Sequence, residues 1–332
     1  MAGDGILSQH ADPESFAELL AALSVDVRDD DPLYGEFGRH YYPAVFGDRL
    51  RDRSFAVVGK DGSAFVVECD VLDGTLGRFG MPLRVTTLGA PTAKVERRLL
   101  REVLAELQRI AEADEASEIT IAGDAPSRTL SGLGRACMGA EGKPGVVLHA
   151  CVDLCETTAA LRSDLRDSYR SLVNWGERSL SMEYCNEARP DRELFRSYEV
   201  LHEQVVGRRT RSEASWNVMF DFVARGRGEL ALASLEGELV AGMLVFDGAL
   251  TTQYASAAYV REHFDHSLAH WPLFNAIVRA RERGLRWFDV GPIRHRDDVG
   301  DKEASIGFFK RGFTNRIETR IKWNLPIDGR TP

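Results

Sequence analysis

The chain has 332 residues, 44% hydrophobic and 28% charged, which is enough apolar material for two globular cores and excludes a disordered or fibrous protein. Its formal charge of −9 argues against non-specific nucleic-acid binding, yet from Arg166 onward 25 Lys+Arg face 24 Asp+Glu, a net of +1, so the −10 of the preceding part does not bar contact between the second half and a tRNA end. Five cysteines (Cys69, Cys137, Cys151, Cys155, Cys185) without framework spacing, a small polar Met1–His10 and no apolar run near the roughly 20 residues of a membrane span lead to the expectation of a soluble, reduced, cytoplasmic protein.

The predicted elements follow in chain order. Asp12-Pro13-Glu14 opens a helix running through Leu23, with acid at its N-terminus. Leu33 to Phe46 is aromatic-rich and predicts a helix as far as Pro43. Ser54–Val58 and Ala64–Cys69 are strands joined by the turn residues Lys60-Asp61-Gly62, and Leu76 to Leu88 continues the sheet. Thr92–Ala113 is an amphipathic helix with Val95, Leu99, Leu100, Val103, Leu104, Leu107 and Ile110 on one face. A strand at Ile119–Ile121, a helix over Ser127–Met138 and a strand over Gly145–Leu154 close the first half.

The second half repeats this plan. A helix spans Thr158 to about Leu180, then comes a strand to Cys185, then helices at Glu193–Val206 and Glu213–Ala224. Three strands follow at Glu229–Ser234, Leu239–Phe246 and Leu250–Tyr259, with turns at Glu236-Gly237-Glu238 and Asp247-Gly248. Ser267–Arg283 is a helix stopped by Gly284, since glycine takes the left-handed cap conformation at little cost. Trp287–Gly291 is a short buried strand, Ala304–Lys310 a helix and Arg316–Leu325 the last strand. The order predicts two α/β (α+β) domains, each a mixed, mostly antiparallel sheet flanked by helices, over residues 1–157 and 158–332.

Four motifs in order carry a family resemblance: Tyr254-Ala255-Ser256; Leu268-Ala269-His270-Trp271; Arg283-Gly284-Leu285 with Phe288-Asp289-Val290-Gly291; and Phe309-Lys310-Arg311-Gly312-Phe313. Upstream, Leu165 to Arg170 matches an arginine-bearing helix, and Ala231 to Gly242 a central hairpin. Together these resemble the Fem-type (FemAB-like) aminoacyl transferases, a branch of the GNAT acyltransferase superfamily, over roughly Leu161 to Pro326. The long helical hairpin that some members insert has no counterpart here, and Thr314-Asn315 stands where the family often has another glycine.

The resemblance implies two GNAT-like domains and an N-acyltransferase. The expected donor is an aminoacyl-tRNA, and the expected acceptor an amino group on a cell-wall (peptidoglycan) or other envelope precursor, or on a peptide metabolite. It also implies that Lys310 stabilises the tetrahedral oxyanion with Phe309 beside it. One such donor is worth about 3 kcal/mol, whereas the competing reading is a solvated lysine favourable to a helix C-terminus. Asp289 either handles the amine's proton or caps the turn before Gly291. Arg166, Arg170, Arg208 and Arg209, with Arg211 beside them, are candidates for holding phosphate, although surface pairing with Asp164, Asp167 or Glu177 is the commoner fate of such arginines. Tyr254 and Ser256, two apart and so on one strand face, and His270 and Trp271, opening a helix, are candidate cleft residues or core. Arg39 and Arg78 are the first half's candidates for an acceptor phosphate.

No metal is expected: His263, His266 and His270 lack completing ligands. No phosphate-loop or dinucleotide fingerprint accompanies the kinase-like His295-Arg296-Asp297. Val260 to His266 lacks glycine and carries two acids where acyl-CoA enzymes cradle the pyrophosphate, which disfavours that donor. No cofactor is therefore expected. Acetyl-CoA as co-substrate for an amino-sugar N-acetyltransferase is the alternative, and a non-catalytic binding protein of the same fold the third reading.

Overall fold

The computed structural model describes residues 5–23, 30–123, 128–262, 267–294, 300–314 and 316–327. The chain divides into two compact units: Met1–Ser24 with Phe46–Val147 and Thr319–Pro332, and Val25–Val45 with Leu148–Glu318. The units interleave along the chain, where the sequence suggested one cut at 157/158. The segment at 25–45 joins the second unit because Phe37 packs there against Phe222 and Phe246.

The first unit begins with β1 (Gly5–Ser8) and α1 (Pro13–Ala22), whose N-cap Asp12 accepts the Ser15 N–H. Next in the chain, α2 (Glu36–Phe46) belongs mostly to the second unit and runs through Pro43 rather than ending there; the side chains of its first turns are anchored in a core. Returning to the first unit, β2 (Arg51–Asp52), β3 (Phe55–Val58), β4 (Ala64–Glu68), β5 (Asp70–Leu72), β6 (Thr75–Gly77) and β7 (Arg84–Leu88) are followed by α3 (Ala93–Ala113). β8 (Glu118–Ala122) and α4 (Gly132–Gly139) then lead to β9 (Lys143–Asp153). The stretch 76–88, expected to continue the one sheet, holds two strands in different sheets: β7 pairs with β4, and β6 with β5 and β8. The sheet β1-β3-β4-β7 is antiparallel and covered on both faces. Phe55, Val57, Phe65 and Val67 meet Leu99, Val103 and Leu107 of α3, while Ala56 and Val66 meet Phe16 of α1. This double burial explains why Phe55-Ala56-Val57-Val58 is an unbroken apolar run.

In the second unit the helix expected over 158–180 is broken into α5 (Thr158–Ser163) and α6 (Asp167–Ser179). Asp164–Arg166 leaves the helix because the Arg166 N–H donates to the Gly312 carbonyl (2.9 Å) and Leu165 is buried. β10 (Leu180–Cys185), α7 (Arg192–Val206), α8 (Glu213–Ala224), β11 (Gly228–Leu235), β12 (Glu238–Asp247), β13 (Thr251–Tyr259), α9 (His270–Glu282), β14 (Trp287–Ile293), α10 (Asp301–Arg311) and β15 (Arg316–Leu325) complete the chain. Strands β10-β11-β12-β13 pair antiparallel, β13 pairs β14 in parallel, and β14 pairs β9 antiparallel. One face of this sheet carries Met243, Val245, Phe288 and Val290 against Val173 of α6 and Leu273, Phe274 and Ile277 of α9. The other carries Leu230, Leu232, Leu244 and Phe246 against α2, α7 and α8, through Phe37, Phe195, Tyr198, Trp216 and Phe222.

Two irregularities shape the sheet. β13 and β14 pair only across Thr251–Gln253 and Trp287–Asp289. Beyond that point β13 follows β12 to Tyr259 and β14 follows β9 to Ile293, so the parallel strands part and leave a wedge. A bulge at Ala255 shifts register, because Leu244 faces Ser256 but Val245 faces Tyr254. Tyr254 therefore packs toward the α6/α9 core, while Ser256 turns to the α7/α8 side and bonds the Tyr198 hydroxyl at 2.8 Å. The expectation that Tyr254 and Ser256 share a face is thus corrected.

Candidate active site

β14 carries the site. Phe288 and Val290 enter the core, and strand alternation sends Asp289 to the other face, where it too is fully buried. A buried carboxylate needs donors. The Gly291 N–H donates to Asp289 Oδ1 at 2.7 Å, and His149 Nδ1 lies 3.1 and 3.0 Å from Oδ1 and Oδ2. A carboxylate only accepts, so Nδ1 carries the ring proton. β9 brings the histidine by placing His149 opposite Pro292. Among the described residues nothing bonds His149 Nε2, and the side chain remains 14% exposed.

Between Asp289 and Gly291 the register slips by one residue, and Gly291 takes φ +110°, a conformation that side chains other than glycine's rarely adopt. A Cβ built on Gly291 would stand 2.5 Å from Lys310 Nζ. The missing side chain is the space that the lysine occupies. Lys310 lies on the last turn of α10, which packs against β14. Among the described residues its ammonium has no ion pair or hydrogen bond. Burial pushes its pKa below the ordinary 10.5, the Asp289 carboxylate opposes that fall, and Arg294 adds to it.

The residues expected around Lys310 hold its helix in place. Arg166 donates to the Phe308 carbonyl (2.9 Å) and lies over the Phe308 and Tyr169 rings, 3.7 and 4.8 Å from their centroids. The Tyr169 hydroxyl donates to the Phe309 carbonyl (3.3 Å). Tyr169, His270, Phe309 and Phe313 form one aromatic cluster, and burial lowers the His270 pKa. Gly312 lets the Tyr169 ring lie against the backbone where a Cβ would collide with it. Trp271 packs against Gly176 of α6 in the same close manner. The Thr314 hydroxyl donates to the buried Cys151 carbonyl (2.5 Å).

The arginines do not converge on this point. Arg170 pairs with Asp167 on the surface. Arg208 and Arg209 are exposed after α7, which packs on the sheet face opposite α10's aromatics, and Arg209 contacts Glu203 at 3.6 Å. Arg211 is the engaged one: it reaches His202 Nε2 (2.6 Å), the Tyr41 hydroxyl (3.2 Å) and Ser256 Oγ (3.2 Å). In the first unit Arg78 is buried, bridging Asp52 and Glu68 at 3.2 and 3.3 Å. Tyr254 and Tyr259 stand at the wedge with their hydroxyls 3.4 Å apart, and burial raises both pKa values. His263, His266, His295–Asp297 and Asn315 lie outside the described residues. Among the described ones, no group of three His, Cys, Asp or Glu could hold a metal ion, and no helix is long and apolar enough to cross a membrane.

Sequence reasoning singled out Lys310, Asp289 and Gly291, which the structure brings near one another, but missed His149. It lies 140 positions from Asp289 with no motif around it, and only the β9–β14 pairing brings the two together.

Residues 159–303 match the family described as "Acetyltransferase (GNAT) domain". Among solved structures, FemX aligns at TM-score 0.62 and 14% identity over 92% of this chain and 95% of that one. A tandem GNAT protein from the clavulanic acid biosynthesis pathway aligns at 0.59 and 14% over 98% and 99%. L-PGS from Bacillus licheniformis aligns at 0.53 and 14% over 89% and 92%. Curated protein sequences give no significant match. The family match thus places a GNAT acetyltransferase domain at residues 159–303. The chain's whole length has the two-domain architecture of Fem-like, tandem GNAT proteins.

Proposed function

We propose that this protein is an N-acyltransferase that moves an aminoacyl group from aminoacyl-tRNA to an amine of a cell-envelope precursor or a peptide metabolite. The observation that carries this reading is the half-buried Lys310 ammonium, without a partner among the described residues and seated over Gly291 beside a buried Asp289. Attack of an amine on an acyl ester makes the carbonyl oxygen negative. A cation fixed beside that oxygen and shielded from water stabilises the charge where it forms. Lys310 holds no other anion in ion-pair contact among the described residues, so its charge is available to a reacting oxygen. The fold likeness to FemX supports the aminoacyl donor, as does that to the C-terminal domain of a putative lysylphosphatidylglycerol synthetase (TM-score 0.54).

The second reading is transfer from acyl-CoA. It is favoured by the acetyltransferase description of the 159–303 match and by the wedge between β13 and β14. Label transfer separates the two. Purified protein is given tritiated aminoacyl-tRNA or radiolabelled acetyl-CoA, with a mixture of amino acids, an amino sugar and a lysine-ended peptide as acceptors. Amide product from the tRNA pool whose formation Lys310→Ala slows about 10²-fold or more supports the first reading. Product from acetyl-CoA alone replaces it with the second. Transfer of neither label by the wild type overturns both in favour of a binding protein, and transfer unchanged by Lys310→Ala removes the lysine from the mechanism.

A further inference from the structure

We infer that His149 is the acid–base residue of this acyl transfer, and that Asp289 is its positioning residue. The inference rests on the acyl-transfer reading above. Asp289 fixes the ring through Nδ1 and leaves Nε2 on the opposite edge, unbonded among the described residues and within reach of solvent. The same carboxylate is tied to the Gly291 N–H, and Gly291 is the residue over which Lys310 Nζ sits. His149 and Lys310 thus each stand at the register slip of β14 and share Asp289 as neighbour. On the same sheet face, Cys151 stands opposite Asp289 in the register but gives its thiol hydrogen to Glu318 (3.1 Å), which leaves His149 as the group with an open acceptor.

The proton balance follows. The amine attacks the acyl carbon, a C–N bond forms, and the carbonyl oxygen becomes an oxyanion beside Lys310. His149 Nε2 takes the proton that the nitrogen must lose. The C–O bond to the leaving ribose breaks as the oxyanion returns to a carbonyl, and the histidine gives that proton to the departing oxygen. No metal, oxidant or reductant enters. A carboxylate held against Nδ1–H keeps the ring in the tautomer this needs and stabilises the imidazolium that forms.

The test uses His149→Asn, which keeps an amide N–H close to the position of Nδ1 for Asp289 but has nothing at Nε2. With tritiated aminoacyl-tRNA as donor and the acceptor mixture above, we expect kcat to fall about 10²-fold or more with KM unchanged. Added imidazole should restore part of the rate to His149→Asn and none to Lys310→Ala. A structural pair would not give that rescue. In ¹⁵N–¹H spectra of the wild type the ring proton should sit on Nδ1, and Asp289→Asn should release that preference. Wild-type kcat in His149→Asn while Lys310→Ala is slowed sinks the inference and leaves the acyl-transfer reading standing; so does a wild-type ring protonated on Nε2. A wild-type protein that transfers neither aminoacyl nor acetyl label overturns the reading itself, and the role of His149 with it.

Discussion

Gly291→Ala tests the site's geometry at one atom. The glycine has φ +110°, and its added Cβ would lie 2.5 Å from Lys310 Nζ, where ordinary contact begins near 3.4 Å. Forcing alanine into such backbone costs about 1–3 kcal/mol of stability. The lysine's free end can yield, so the steric clash adds little to that cost, but the ammonium must move by about 1 Å. A misplacement of that size in a reacting constellation costs about 10²-fold in rate. Removing the cation altogether with Lys310→Ala should cost about 10²–10³-fold. The double variant Gly291→Ala/Lys310→Ala should then transfer no more slowly than Lys310→Ala, since the glycine acts through the lysine. Single-turnover label transfer gives the rates, and urea unfolding separates the stability loss from the catalytic one. Multiplied losses in the double variant would refute the reasoning, as would Gly291→Ala with an unchanged rate.

Lys310→Met should lose activity as Lys310→Ala does and yet gain stability. The folded pKa lies below 10.5, so between that lowered value and 10.5 the unfolded chain binds more protons and wild-type stability rises with pH; this rise, followed by urea midpoints from pH 7 to 10.5, should vanish in Lys310→Met. His202, buried against Arg211, has its pKa lowered from 6.5 to about 4. Its contribution is complete above 6.5 and is lost as pH falls toward 4, amounting to about 3 kcal/mol, so His202→Gln should flatten the difference in unfolding free energy between pH 4 and pH 7.5. Gly312→Ala drives a Cβ into the Tyr169 ring and should destabilise by about 1–3 kcal/mol while slowing transfer, because that ring holds the α10 helix. Unchanged unfolding of Gly312→Ala in urea would contradict this packing.

Much of the fold was legible because local chemistry specifies it. α3 begins at its Thr92 cap and shows its apolar face as a 3.6-residue repeat, and Gly284 ends the helix before β14 at φ +87°. The bounds of β15 agree with the reading from sequence to the residue. The errors have one cause in common, a partner distant in sequence. The break at Asp164–Arg166 is set by the Gly312 carbonyl, and α2 continues past Pro43 because its aromatics are anchored in a core. The bulge at Ala255 turns Ser256 away from Tyr254, which strict alternation could not foresee.

Sequence alone determined that Lys310 stands in an apolar motif at a helix end and that Asp289 and Gly291 lie on a buried strand, which the structure extends to Ile293, since these are patterns within a few residues. Tertiary structure decided what they face. It set His149 against Asp289 across 140 residues, turned Arg166 to a helix carbonyl, and left Arg208 and Arg209 exposed after a helix on the opposite sheet face. Strand pairing and buried-charge compensation act through space rather than along the chain. The groups that neutralise a buried carboxylate, and the glycine that makes room for a lysine, are therefore fixed only once the sheet has formed.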